Sequence, residues 1–81
     1  MRIRLTEKAT NNYKNAPLAV QKALDKCLVF LRQNLRHPSL HAKKYDESSG
    51  LWQARVTKGW RFYFTIEGDT YLLHDIRLHP K

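Results

Sequence analysis

The chain has 81 residues of which 42% are apolar, enough for one hydrophobic core and not for two, so residues 1–81 are read as a single domain. No run approaches the roughly 18 continuous apolar residues of a membrane span, Met1-Arg2-Ile3-Arg4-Leu5 lacks the apolar centre of a signal peptide, and the single cysteine, Cys27, excludes an internal disulfide or a thiolate zinc cluster, so a soluble cytoplasmic protein is expected. Fifteen Lys and Arg against seven Asp and Glu give a formal charge of +8, which calls for an anionic partner; nucleic acid leads because each neutralised phosphate releases counterions, while a membrane surface or an acidic protein stays open from charge alone.

In chain order, Ile3 and Leu5 alternate with Arg2 and Arg4, the period of a short edge strand with a basic outer side. Thr6 is placed to cap a helix from about Glu7 to Asn15, with Ala9, Tyr13 and Ala16 at helical spacing; Asn11 and Asn12 weaken that helix. A second helix starts after Asn15-Ala16-Pro17. Val20, Leu24, Cys27, Leu28, Leu31 and Leu35 form its apolar stripe, charged residues fill its other faces, and Pro38 is expected to end it. That pattern predicts a helix laid across a sheet. Residues 37–50 show neither the helical nor the strand period and are read as a long basic loop. Three strand-like runs follow, Leu51 to Val56, Trp60 to Glu67, and Thr70 to about Leu78, separated by Thr57-Lys58-Gly59 and by a turn around Gly68, as an antiparallel meander.

Side chains alternate across a strand, so parity sorts these runs into two faces. Trp52, Ala54 and Val56, then Trp60, Phe62, Phe64 and Ile66, then Leu72, Ile76 and Leu78 share the inward parity, with His74 the odd member among them. The other face collects Gln53, Arg55, Arg61, Tyr63, Thr65, Tyr71, Asp75, Arg77 and His79. Arginine forks match phosphate oxygens, tyrosine can stack on an unpaired base, and imidazole can move a proton near neutral pH. Metal-free RNA cleavage needs such groups: a base for the 2′-hydroxyl, cations for the crowded phosphorane, and an acid for the leaving 5′-oxygen. A solvated sheet face bearing arginines is also ordinary. Tyr63 is read either as a stacking surface or as a cross-strand partner of Arg55 or Asp75; Cys27 and the inward aromatics are read as core, His74 as a hydrogen-bonded structural histidine, and His37 as closing the helix end.

The succession of short strand, two helices, basic loop and meander resembles the RelE/ParE toxin superfamily over essentially the whole chain. The pieces that carry the resemblance are His37-Pro38-Ser39-Leu40 with Lys43-Lys44, Leu51-Trp52-Gln53-Ala54-Arg55-Val56, Gly59-Trp60-Arg61-Phe62-Tyr63-Phe64, and Ile76-Arg77-Leu78-His79. It implies an α+β fold with the N-terminal strand and two helices packed on one face of a small antiparallel sheet. It also implies the toxin of a type II toxin–antitoxin pair, nearest to RelE/YoeB-like messenger RNA interferases, which are metal-independent endoribonucleases needing no cofactor. Arg61 then occupies the position of the arginine on the scissile phosphate, His79 that of the terminal proton donor, and His41 that of the base. Lys43, Lys44, Arg55, Tyr63 and Arg77 become RNA-binding residues. The implied partners are a cognate antitoxin, the ribosome and mRNA, with no membrane; a ParE-like gyrase poison and a non-catalytic basic RNA-binding module are the competing readings. Departures from the pattern are Gln53 where some members have lysine, Leu78 in place of an aromatic, and the Pro80-Lys81 ending.

Overall fold

The computed structural model describes residues 1–79; the Pro80-Lys81 ending lies outside the described residues. The elements are β1 (Arg2–Leu5), α1 (Glu7–Asn15), α2 (Leu18–Gln33), a 3-10 turn (Pro38–Leu40), β2 (Lys43–Asp46), β3 (Leu51–Thr57), β4 (Trp60–Glu67) and β5 (Thr70–Leu78). The strands form one sheet in the order β1-β5-β4-β3-β2. The pairs β2–β3, β3–β4 and β4–β5 are antiparallel, whereas the first strand lies parallel to the last, so the sheet is mixed rather than purely antiparallel.

Thr6 terminates β1 and starts α1: its amide donates to the Leu73 carbonyl (3.0 Å), and its Oγ1 accepts from the Ala9 amide (3.1 Å), the N-cap expected. Pro17 holds Ala16 out of the helical region (ψ 152°), which separates α1 from α2 without a loop. Gln21 on α2 then returns Nε2 to the Tyr13 carbonyl (2.8 Å), satisfying one of the acceptors left open at the end of α1. The second helix ends earlier than Pro38. Asn34 leaves helical geometry (φ −164°) and accepts the Arg36 amide on its own Oδ1 (2.9 Å), so Leu35 lies past the helix although it still packs on the core.

Val20, Leu24, Cys27 and Leu31 of α2 are buried against the inner sheet face, where Ala54, Phe62, Phe64, Leu73 and Ile76 meet them. Phe62 and Phe64 are fully buried, and removing such side chains from water stabilises by roughly 1.5–3 kcal/mol each. Trp52 and Trp60 flank that core, half-buried. The thiol of Cys27 donates to the Arg55 carbonyl (3.3 Å), and burial raises its pKa, as suits a core residue.

Two expectations fail for identifiable reasons. Tyr63 pairs with Asp75 but Phe64 pairs with Leu73, so a β-bulge at His74 reverses the parity of β5. Tyr71 and Leu73 therefore enter the core ahead of the bulge, Leu72 does not, and Ile76 re-enters after it. The imidazole of His74 is hydrogen-bonded, Nε2 lying 2.8 Å from Thr65 Oγ1, but on the outer face. Ile66 and Leu78, at strand ends beyond the helical cover, are exposed. Residues 37–50 are also not one loop: fully buried Leu40 anchors the 3-10 turn, and Lys43–Asp46 extend the sheet as β2. His37 accepts the Ser39 amide on Nδ1 (3.2 Å) and stacks on Phe30 (3.9 Å), closing the helix end. Among the described residues no helix is long and apolar enough to cross a membrane.

Candidate functional site on the open sheet face

The helices cover one side of the sheet and leave the other to polar side chains. Register arranges these in rows. Arg55 of β3 stands opposite Arg61 of β4, which stands opposite Arg77 of β5. Three arginines thus stand abreast on adjacent strands, spaced by about 4.8 Å between backbones, and their guanidinium groups reach from that row toward His41, the β3–β4 turn and Tyr63 respectively. Continuing the β2–β3 register past the end of β2 sets residue 41 on the same line, and His41 Nε2 lies 3.4 Å from Arg55 Nη1. A guanidinium can only donate, so a hydrogen bond across this contact has His41 Nε2 as its acceptor. His41 reaches there from a left-handed backbone (φ 48°, ψ 41°), between buried Leu40 and half-buried Ala42. A non-glycine residue holds that conformation at a cost, and such outliers cluster at functional sites.

His79 follows β5. Its amide donates to the Gly59 carbonyl (2.8 Å), which carries the chain two residues beyond Arg77, where the exposed imidazole is a diagonal neighbour of Arg61 at about 7–8 Å between backbones. Arg61 itself donates from Nη1 to the carbonyls of Thr57 (2.7 Å), Lys58 (3.1 Å) and Trp60 (3.0 Å). One nitrogen of the fork is thereby tied to the β3–β4 turn, and the guanidinium is held at a set place on the face.

The next row is Lys43, Gln53, Tyr63 and Asp75. Tyr63 is 3% exposed and donates its hydroxyl to Gln53 Oε1 (3.2 Å); the Arg77 guanidinium lies over its ring at 4.5 Å from the centroid. The cross-strand reading of Tyr63 is the one observed, with Asp75 and Gln53 as partners rather than Arg55. Asp75 accepts from Arg77 Nη1 (3.1 Å) and from Lys8 Nζ (3.4 Å), which reaches round from α1. The pKa of Arg77 is raised above its ordinary value, by Tyr63 foremost, against an opposing effect of burial, and by Asp75.

Lys44 stands elsewhere. It pairs with inward-facing Trp52 and sets its ammonium over that ring at 5.4 Å, beside Arg36 at 5.8 Å on the same ring. The face therefore unites Arg61, His79, His41, Arg55, Arg77, Lys43 and Tyr63 but not Lys44. It also contains a residue that sequence reasoning missed, Tyr45, whose ring meets Tyr63 edge-on at 5.0 Å. The strand carrying it was legible as strand only through its pairing with β3.

A strand, two helices on one side of a five-stranded mixed sheet, and an arginine-rich face on the other define the class: this chain has the α+β fold of the RelE/YoeB-like toxins. The likeness is carried by structure. It superimposes on the YoeB/ParE toxin from Agrobacterium tumefaciens with a TM-score of 0.83 at 14% identity, covering 99% of this chain and 100% of that one. The YoeB dimer from Staphylococcus aureus gives 0.83 at 15%, covering 99% and 98%. The toxin–antitoxin complex RelBE2 from Mycobacterium tuberculosis gives 0.75 at 20%, covering 96% of each chain. No protein-family model matches the sequence, and no curated protein does.

Proposed function

We propose that this chain is the toxin of a type II toxin–antitoxin pair and acts as a ribosome-dependent endoribonuclease on translated mRNA. The observation that carries this reading is the row His41–Arg55–Arg61–Arg77 with His79 diagonal to it, on a toxin-like fold. In the proposed reaction His41 takes the proton of a 2′-hydroxyl, and the 2′-oxygen attacks the adjacent phosphorus. The bond to the 5′-oxygen breaks as His79 donates a proton to it, leaving a 2′,3′-cyclic phosphate. Arg61 stabilises the charge on the phosphorane, Arg55 and Arg77 flank it, and Lys43 extends the cationic track. No metal or cofactor takes part. Solved toxin–antitoxin complexes of this fold support an antitoxin as partner, and an acidic segment lying over a face with three arginines is what charge complementarity favours.

The test is to add the purified chain, with Arg61→Ala and His79→Ala variants beside it, to a programmed bacterial translation reaction and map mRNA 5′ ends by primer extension. New ends inside translated codons, absent on ribosome-free RNA and with both variants, are expected. Intact mRNA together with inhibited gyrase supercoiling would replace this reading by the gyrase poison. Salt-dependent ribosome binding without cleavage would replace it by the binding module.

A further inference from the structure

Of two tryptophans, four tyrosines and three phenylalanines, all within the described residues, eight rings are buried or half-buried, whereas Tyr45 is 54% exposed. It is also the residue at which the β2–β3 register slips: Lys44 pairs with Trp52 and Asp46 with Leu51, leaving Tyr45 with no partner on β3. A bulge of this kind re-aims a side chain, and bulges are common beside active sites. The ring is not loose, however. Its position is fixed edge-on against Tyr63, whose hydroxyl is held by Gln53 and whose ring is covered by Arg77. The result is an exposed aromatic surface on the same strand as Lys43, two rows from the arginines, with a buried, hydrogen-bonded support beneath it in the row between.

We infer that Tyr45 is a stacking platform for an unpaired base of the bound RNA, and that Tyr63, which sequence parity offered for that role, is its support and a positioning residue for Arg77. The division follows from exposure. A ring 3% exposed with a cation over its centroid has no surface to offer a base, whereas a half-open tyrosine beside phosphate-binding groups has the two properties single-strand recognition combines, a π-face and an adjacent cationic track. Stacking accepts any base, so the platform supplies register and affinity rather than sequence choice. This inference rests on the proposed reading of the face as RNA-binding.

The experiment compares fluorescence anisotropy of a short labelled single-stranded RNA with that of an abasic strand of equal length, using the full chain and its Tyr45→Ala, Tyr45→Leu, Tyr45→Phe and Arg61→Ala variants. Loss of the ring in Tyr45→Ala and Tyr45→Leu is expected to weaken binding of the base-bearing strand roughly 5- to 150-fold, the equivalent of ~1–3 kcal/mol per stacked base. The same variants should bind the abasic strand as the unaltered chain does, and Tyr45→Phe should bind both within about twofold of it. Equal loss on both strands, no loss on either, or no preference of the unaltered chain for the base-bearing strand would overturn the platform. Arg61→Ala separates the two layers: if it weakens both strands while Tyr45→Ala weakens neither, stacking alone is refuted. If Arg61→Ala binds like the unaltered chain, the RNA-binding reading of the face falls with it.

Discussion

His41 is where local geometry and proposed chemistry conflict most directly. Its left-handed backbone favours glycine, yet the imidazole it carries is the group that lines up with Arg55. His41→Gly is therefore expected to keep or raise stability, by about 1 kcal/mol from relieved strain, while cleavage falls. Thermal melting and primer extension on one preparation check this; a large drop in melting temperature would show instead that the imidazole is structural. Arg61 poses the opposite problem, because it braces the β3–β4 turn through three carbonyls as well as facing outward. Arg61→Lys keeps the charge but replaces the planar fork by a single ammonium, so cleavage is expected to drop by about 100-fold or more, the scale of losing one transition-state donor. At the β2–β3 turn, Asp46 accepts the hydroxyl (2.8 Å) and amide (3.0 Å) of Ser48, and these bonds, the hydroxyl first, lower its pKa below the ordinary 3.8. A depressed carboxylate stabilises when ionised, so its contribution is present above that ordinary value and disappears as pH falls through the lower folded one. In an NMR titration the Ser48 amide should stay in its folded position to below pH 3.8 and shift only there; a shift centred above that value would contradict the assignment.

At the scale of elements, Asn12 shows why a weak local signal can be a strong tertiary one. Adjacent asparagines disfavour α1 in isolation, but β1 stops pairing with β5 at Leu73, and Asn12 Oδ1 accepts the Ile76 amide beyond that point (3.1 Å). The helix thereby takes over the edge of β5 that the strand leaves uncovered. Asn12→Ala raises helix propensity yet leaves that amide without its partner, so a net loss of about 1–3 kcal/mol is expected in urea unfolding; a gain would mean that the bond contributes nothing. Much of the remaining architecture was legible in sequence because it has a period: the Val20–Leu31 stripe of α2, the alternation of β1, and the inward Trp60, Phe62 and Phe64 of β4. What was not legible lacks one. Four exposed residues, Lys43–Asp46, form β2 only because β3 offers them an edge, and a single buried leucine, Leu40, organises the turn before them. The bulge at His74 adds one residue without any mark in composition, and it alone exchanges Leu72 for Tyr71 and Leu73 in the core. The same limits apply to the site. Parity placed Arg55, Arg61, Arg77 and His79 on one face, but it could not separate Lys43 from Lys44 without β2, nor find Tyr45.

Across the whole molecule, charge of one sign is concentrated where the sheet is bare. Arg55, Arg61 and Arg77 stand directly opposite one another, with Asp75 bridged to Arg77 and to Lys8. Like charges in directly opposed positions destabilise a sheet, and Arg55 adds a buried Nε that makes no hydrogen bond. A cost of this kind to the folded chain is what a face built for an anion, which relieves the repulsion on binding, would carry. Arg55→Gln removes one charge of the row and the unpartnered Nε without touching the core. It is expected to raise stability by ~0.2–1 kcal/mol at low ionic strength and to weaken RNA binding. The stability gain should shrink as salt screens the row, since the Debye length falls from about 30 Å at 0.01 M to about 3 Å at 1 M. Melting curves of both proteins across that range decide the matter. A variant less stable at low salt would show that Arg55 stabilises the free protein, and the open face would then need no anion to account for it.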